Sequence, residues 1–162
     1  MINGNITFAG AAIFDTNSLM TATRVNTFKN VTVMSEDGDF ASSVSDGDAV
    51  VMAQPYIFSP STPTPGLWSV GGFTFDLATS TVDFRSSQAL FITGTGTISG
   101  NGFMDTPGTW SFTTQTPFAG RGVFSFSSGS SAAGVPDGGT TVALLGLAFF
   151  CVELARRKLK IA

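Results

Sequence analysis

Histidine is absent from this 162-residue chain, and cysteine occurs once, at Cys151. Without an imidazole there is no histidine general base, no Ser-His-Asp or Cys-His pair, and no metal site with a histidine ligand. A lone cysteine forms no disulfide within the chain, so cysteine usage does not identify the compartment. Cys151 lies in the most apolar stretch and reads as a small apolar residue. Charge is also scarce: Asp, Glu, Lys and Arg make up 12% of residues, about half the usual share. What charge there is divides unevenly. Residues 1–139 carry ten acids against four bases, a net −6, whereas the last 23 residues are +3. An acidic body argues against nucleic acid as a partner, because such binding needs a basic surface that displaces counterions.

What is abundant points to strands. The chain holds 19 Gly and 16 Phe, with 43% hydrophobic residues, enough for one modest core. Residues 1–125 alternate apolar and polar positions in short runs, broken by Gly, Pro, Asn or Asp about every ten residues. The clearest runs are Ile6–Phe8, Phe28–Met34, Ala49–Phe58, Trp68–Leu77, Thr81–Phe84, Ala89–Ile98, Thr109–Thr113 and Val123–Phe126. In Phe73-Thr-Phe75-Asp-Leu77 and Trp110-Ser-Phe112 the large apolar residues recur at every second position, so one face of each strand packs on a core. The expected fold is all-β, a single β-sandwich or jelly-roll-like domain over residues 1–126. Ser59 to Gly66, with three prolines in six positions, is expected to be a stiff surface loop. Gly94 to Gly102 lacks the Lys-Ser/Thr ending and the following helix of a phosphate loop, and reads instead as a strand with bulges and a turn.

From residue 127 to 134 the chain becomes small and polar, as a linker does. Three chemistries then follow in order over residues 135–160: Val135-Pro136-Asp137-Gly138-Gly139, an apolar run, and the basic cluster Arg156-Arg157-Lys158. Thr140 to Ala155 is 16 residues, or about 24 Å of helix at 1.5 Å per residue. That is short for a membrane span of about 20 residues. Arg156, Arg157 and Lys158 compensate by snorkelling into headgroups, and their position after the run predicts a cytoplasmic C-terminus with the body outside. The run is apolar on all sides, which argues against an amphipathic helix packed on the domain.

These residues resemble the PEP-CTERM class of sorted bacterial proteins, and within it the variant named for a Val-Pro-Asp-Ser-Gly signature. Gly138 stands where that signature has serine. The stretch Ile98 to Phe112 also looks like segments common in such proteins. The resemblance implies a substrate of an exosortase, a membrane transpeptidase that recognises Val135 to Gly139, with Val142 to Val152 as a transmembrane helix and Arg156, Arg157 and Lys158 as the membrane stop. It further implies a cell-envelope protein, held in the inner membrane before processing and at the surface or in the extracellular matrix afterwards. A structural or adhesive role with exopolysaccharide in biofilm comes from the same resemblance. Members of the class begin with a secretory signal peptide, whereas the first 23 residues here contain no Lys or Arg and no long apolar stretch. The signal for export is therefore expected upstream of Met1.

The same residues bear on rival functions. Glu36, Asp37, Asp76 and Asp83 are the carboxylates available for glycoside hydrolysis, but their spacing singles out no pair, and no catalytic residue is assigned. Asp37-Gly38-Asp39 and Asp46-Gly47-Asp48 are oxygen-rich turns of a kind that holds Ca²⁺, yet neither has the full EF-hand pattern, and Asp-Gly is a favoured hairpin pair. No cofactor is expected, with calcium at those four aspartates the weak exception. A carbohydrate-binding module would use Trp68, Trp110 or Tyr56 as stacking faces, against the expectation that aromatics in such strands are core. Asn5-Ile-Thr7 and Asn30-Val-Thr32 match the glycosylation pattern and are read as chance.

Overall fold

The computed structural model describes residues 1–118 and 121–130, and these form a single antiparallel sheet of nine strands. In chain order the strands are β1 (Asn5–Phe14), β2 (Arg24–Glu36), β3 (Val51–Met52), β4 (Tyr56–Ile57), β5 (Thr64–Val70), β6 (Phe73–Arg85), β7 (Ala89–Gly100), β8 (Phe103–Phe118) and β9 (Arg121–Ser130). Their order across the sheet is β3-β5-β6-β7-β8-β9-β1-β2-β4. The all-β expectation holds. The expected terminal helix lies outside the described residues, among which no helix is long and apolar enough to cross a membrane.

Turn chemistry sets the meander from β5 to β8. Gly71 and Gly72 both have positive φ, as do Asn101 and Gly102, which is the two-residue hairpin turn whose twist matches its flanking strands. Val70 accordingly pairs with Phe73 and Gly100 with Phe103. The run Trp68–Leu77, expected as one strand, is therefore two strands folded at the Gly-Gly pair. The Gly94–Gly102 reading holds, with a register shift between Ile98 and Gly100 before the turn. Pro65 and Gly66, expected in the stiff loop, already belong to β5, where a register shift between Thr64 and Trp68 absorbs them. β9 pairs on both sides as far as Ser130, including Gly129 with Asn5 and Ser130 with Gly108. Residues 127–130, read from sequence as the start of the linker, are thus part of the ladder.

The sheet curls until its edges are stitched together by residues 47–58. The Val33 and Val50 amides donate to the Asp48 and Val31 carbonyls, tying this segment to β2. It then crosses to β5, where Val51 pairs with Ser69, Met52 with Trp68, and Ala53 N–H donates to Leu67. Finally it returns to β2 through Tyr56 opposite Val25. Ala49–Phe58 reads as one strand in the sequence, but Pro55 has no N–H for a ladder and the chain changes partners around it.

Curling brings distant strands face to face over an aromatic core. Phe8 of β1 meets the edge of Trp68 of β5 at 5.2 Å, and Trp68 stacks on Phe75 at 5.9 Å. Phe40, from a 3-10 turn at Phe40–Ser42, closes this cluster against Phe73 at 4.8 Å. A second cluster joins Phe28, Phe112 and Phe124, and a third joins Tyr56, Phe58 and Trp110. Edge-on and offset pairs of this kind add roughly 0.5–1.5 kcal/mol each beyond the area they bury.

Candidate functional site

The inward and outward positions of β6, β7 and β8 differ sharply. Inward, β7 alternates Leu90, Ile92, Gly94, Gly96 and Ile98, and a side-chain carbon on Gly94 would collide with the Trp110 indole and the Thr79 carbonyl. A side chain on Gly96 would run into the Asp76 carbonyl and the Phe75 ring. The glycines of Gly94-Thr95-Gly96-Thr97 therefore make room for two large aromatic rings, while the intervening threonines face outward. That is the physical reason for the glycine-rich stretch.

Outward, the register aligns hydroxyl side chains into rows. Thr79, Thr95 and Thr109 are cross-strand partners, and the row continues through Gly129 of β9 to Asn5 of β1. A second row holds Thr81, Thr93 and Ser111. Together with Gly94 and Trp110 these residues line an open groove of about 520 Å³. Thr79 and Thr95 share a hydroxyl hydrogen bond of 3.0 Å, and Thr93 donates to Asp83 at 2.6 Å. Gly129 leaves a gap in the first row, since a side chain there would strike the Asn5 amide.

The residues singled out from sequence fall mostly into structural work. Asp37 accepts the Asn5 amide at 2.6 Å and Asp39 the Asn3 amide at 2.8 Å, so both pin the start of β1. Asp48 accepts the Ser45 amide at 2.9 Å within its turn. Among the described residues no group of three or more His, Cys, Asp or Glu side chains is arranged to hold a metal ion. Partial burial, then the charge of Asp46 and a hydrogen bond with it, then the charge of Asp48, raise the pKa of Glu36 above the ordinary glutamate value. Of the other carboxylates, Asp76 accepts the Gly66 amide at 2.6 Å. Asp76 and Asp83 lie on one strand seven positions apart, or about 23 Å at a strand's rise per residue, well beyond the separation of a glycosidase pair.

Trp68, Tyr56 and Trp110 are buried, at 0%, 1% and 3% exposure, so none offers a face to a sugar. Burial also raises the pKa of the Tyr56 phenol, against a smaller opposing effect of Ser80. The sequence reading missed Thr79, Thr81, Thr93, Thr95, Thr109 and Ser111. Their signal is the period-two recurrence of Thr or Ser in three successive strands, which points all of them to one face once the strands pair in register.

The C-terminal segment carries a signal of its own in the sequence. The chain carries a VPDSG-CTERM motif over residues 134–159. No curated protein and no solved structure matches the chain. The VPDSG-CTERM match spans Val135, Pro136, Asp137, Gly138, Gly139, the apolar run, and Arg156, Arg157 and Lys158. All of these residues lie outside those the structure describes. The motif supports an exosortase-sorted C-terminal signal.

Proposed function

We propose that this protein is an exported, non-catalytic component of the bacterial cell surface, delivered by its VPDSG-CTERM signal to an exosortase that removes the tail. The observation that carries the reading is the match over residues 134–159, in which motif, apolar run and basic cluster occur in order. In this reading Val135 to Gly139 are the recognition segment. Pro136 stiffens it, and Gly138 and Gly139 let an active site approach the backbone. Val142 to Val152 hold the segment beside a membrane-embedded enzyme, and Arg156, Arg157 and Lys158 stop the run at the cytoplasmic headgroups. The β domain is what remains at the surface, with a structural or adhesive role alongside exopolysaccharide.

The test is intact-mass spectrometry of the protein recovered from envelope and medium, beside a variant with Arg156, Arg157 and Lys158 changed to Ala. The reading expects loss of the tail near Pro136 in the parent and its retention in the variant. A cytoplasmic protein that keeps Ala162 overturns it.

A further inference from the structure

We propose that the outward face of β6, β7 and β8 is a binding groove for a neutral polysaccharide, laid across the strands on the hydroxyls of Thr79, Thr81, Thr93, Thr95, Thr109 and Ser111. The proposal deepens the surface role inferred above and rests on that reading for its biological setting, but the binding itself does not depend on the tail. Three observations carry it.

The first is the chemistry of the lining. The groove contains no Lys, Arg or exposed aromatic ring. An anionic ligand finds no cation there to displace its counterions or pair with its charge, and Asp83 at the rim repels it. An apolar partner would strip water from hydroxyls without replacing their hydrogen bonds, which is unfavourable. A threonine or serine hydroxyl is both donor and acceptor. The ligand that matches a field of such groups is one whose own groups are also donors and acceptors, and sugar hydroxyls are that.

The second is availability. Thr79 and Thr95 satisfy one another and Thr93 is held by Asp83. Thr81, Thr109 and Ser111 make no side-chain hydrogen bond to another described residue, and Thr81 and Thr109 are exposed. The pre-paired residues fix the walls, and the other three have hydroxyls to offer a ligand.

The third is shape. Strand pairing spaces neighbours within a row about 4.8 Å apart and the two rows about 6.6 Å apart along the strands, so the hydroxyls form a regular two-dimensional field. The cleft of about 520 Å³ is open to solvent, which suits the middle of a polymer chain better than the end of a small ligand. A second copy of this protein fits the groove poorly, because its lining lacks the apolar centre that stable protein interfaces bury, and the exposed Phe84 lies outside it.

The test uses the full chain, ¹⁵N-labelled, in micelles of a zwitterionic detergent that contains no sugar. Cellohexaose and maltohexaose serve as neutral probes of different linkage, and oligogalacturonate as the anionic control, each titrated to millimolar concentration. The expected result is amide shifts with at least one neutral probe, confined to residues 79–81, 93–95 and 109–111, and none there with the anionic one. Thr95→Lys, at an exposed position, should weaken that binding by about tenfold, equivalent to losing one well-made hydrogen bond. Thr109→Val, which keeps the β-branch, should weaken it less. Failure of both neutral probes overturns the proposal, as does binding unchanged in both variants or shifts centred elsewhere. Sedimentation that shows a dimer broken by Thr95→Lys, with no glycan binding, would assign the face to a second copy instead. Any of these failures leaves the mass-spectrometric test of sorting untouched.

Discussion

The inward positions of β7 and β8 hold Leu90, Ile92, Ile98, Trp110 and Phe112, whereas the outward positions hold Thr93, Thr95, Thr97, Thr109 and Ser111, with Phe91, opposite the exposed Phe84, at the end of the β7 row. One backbone thus carries two surfaces of opposite chemistry at a spacing of a single residue. The inner surface is made of rings fitted to glycine floors, where each atom has a fixed neighbour. The outer is made of small hydroxyls with room around them. The difference teaches where this protein can tolerate change. A substitution on the inner face alters how the sheet closes, and one at an outward position without a side-chain partner among the described residues, such as Thr81, alters what meets the sheet.

The sharpest way to break that contrast is Trp68→Ala. Trp68 is fully buried and touches Phe8, Phe40 and Phe75 from three different parts of the fold. Removing it should cost about 3–5 kcal/mol, as large-to-small aromatic changes in cores do. For a domain whose whole stability is of order 5–15 kcal/mol, that moves the midpoint of urea unfolding, followed by circular dichroism, far below the parent's. A shift of the size seen for surface changes would mean that the curled sheet is held by its ladder alone.

Gly94→Ala tests the same face from the other side. The added methyl would press on the Trp110 indole and the Thr79 carbonyl, and the latter is backbone that cannot swing away. A loss of about 1–3 kcal/mol is expected, the usual penalty of overpacking. The comparison with Gly102→Ala is instructive, because nothing lies near a side chain there and the penalty is instead its positive φ.

A smaller effect comes from the loop between β1 and β2. Burial alone would raise the pKa of Asp15, but the Thr23 hydroxyl at 2.6 Å and the Thr23 and Arg24 amides donate to the carboxylate and lower it overall. A lowered folded-state pKa means that the stabilisation is present above the ordinary Asp value near 3.9 and is lost as pH falls through the lower folded value. Asp15→Asn keeps one acceptor and loses the charge. The expected cost is up to about 1 kcal/mol at neutral pH, discounted for the exposure of the loop, and it should vanish in unfolding curves taken near pH 2. A cost that persists there would mean that the carboxylate charge is irrelevant. Glu36 runs the opposite way: its raised pKa favours the folded state at acid pH and that contribution fades as pH rises.

Much of this was legible before the fold. Period-two alternation gave the strands, and Gly94 to Gly102 was read as strand and turn because the lysine and helix of a phosphate loop were missing. The burial of Trp68, Trp110 and Tyr56 followed from the same alternation. The Gly71-Gly72 hairpin was hidden because the apolar residues on either side keep the inward phase, so two strands looked like one. The break at Pro55 was hidden because partner exchange between β2 and β5 is a property of closure, and no local window contains it. The hydroxyl face was hidden for a related reason. Thr79, Thr95 and Thr109 are far apart in the chain, and only the register of β6, β7 and β8 makes them neighbours.

The smallest expected effect is the one that most sharpens the contrast between faces. Thr81→Val exchanges one β-branched residue for another on an exposed strand position, so the strand preference is kept. The hydroxyl it removes makes no side-chain hydrogen bond to another described residue. Stability should therefore change by no more than about 0.5 kcal/mol, the range of surface substitutions away from special features. If the groove binds a neutral glycan, the same substitution should weaken that binding several-fold while the unfolding midpoint stays put. A variant that loses both together would show that Thr81 supports the sheet, and the division between a packed inner face and an available outer one would fail at the position where it is expected to be cleanest.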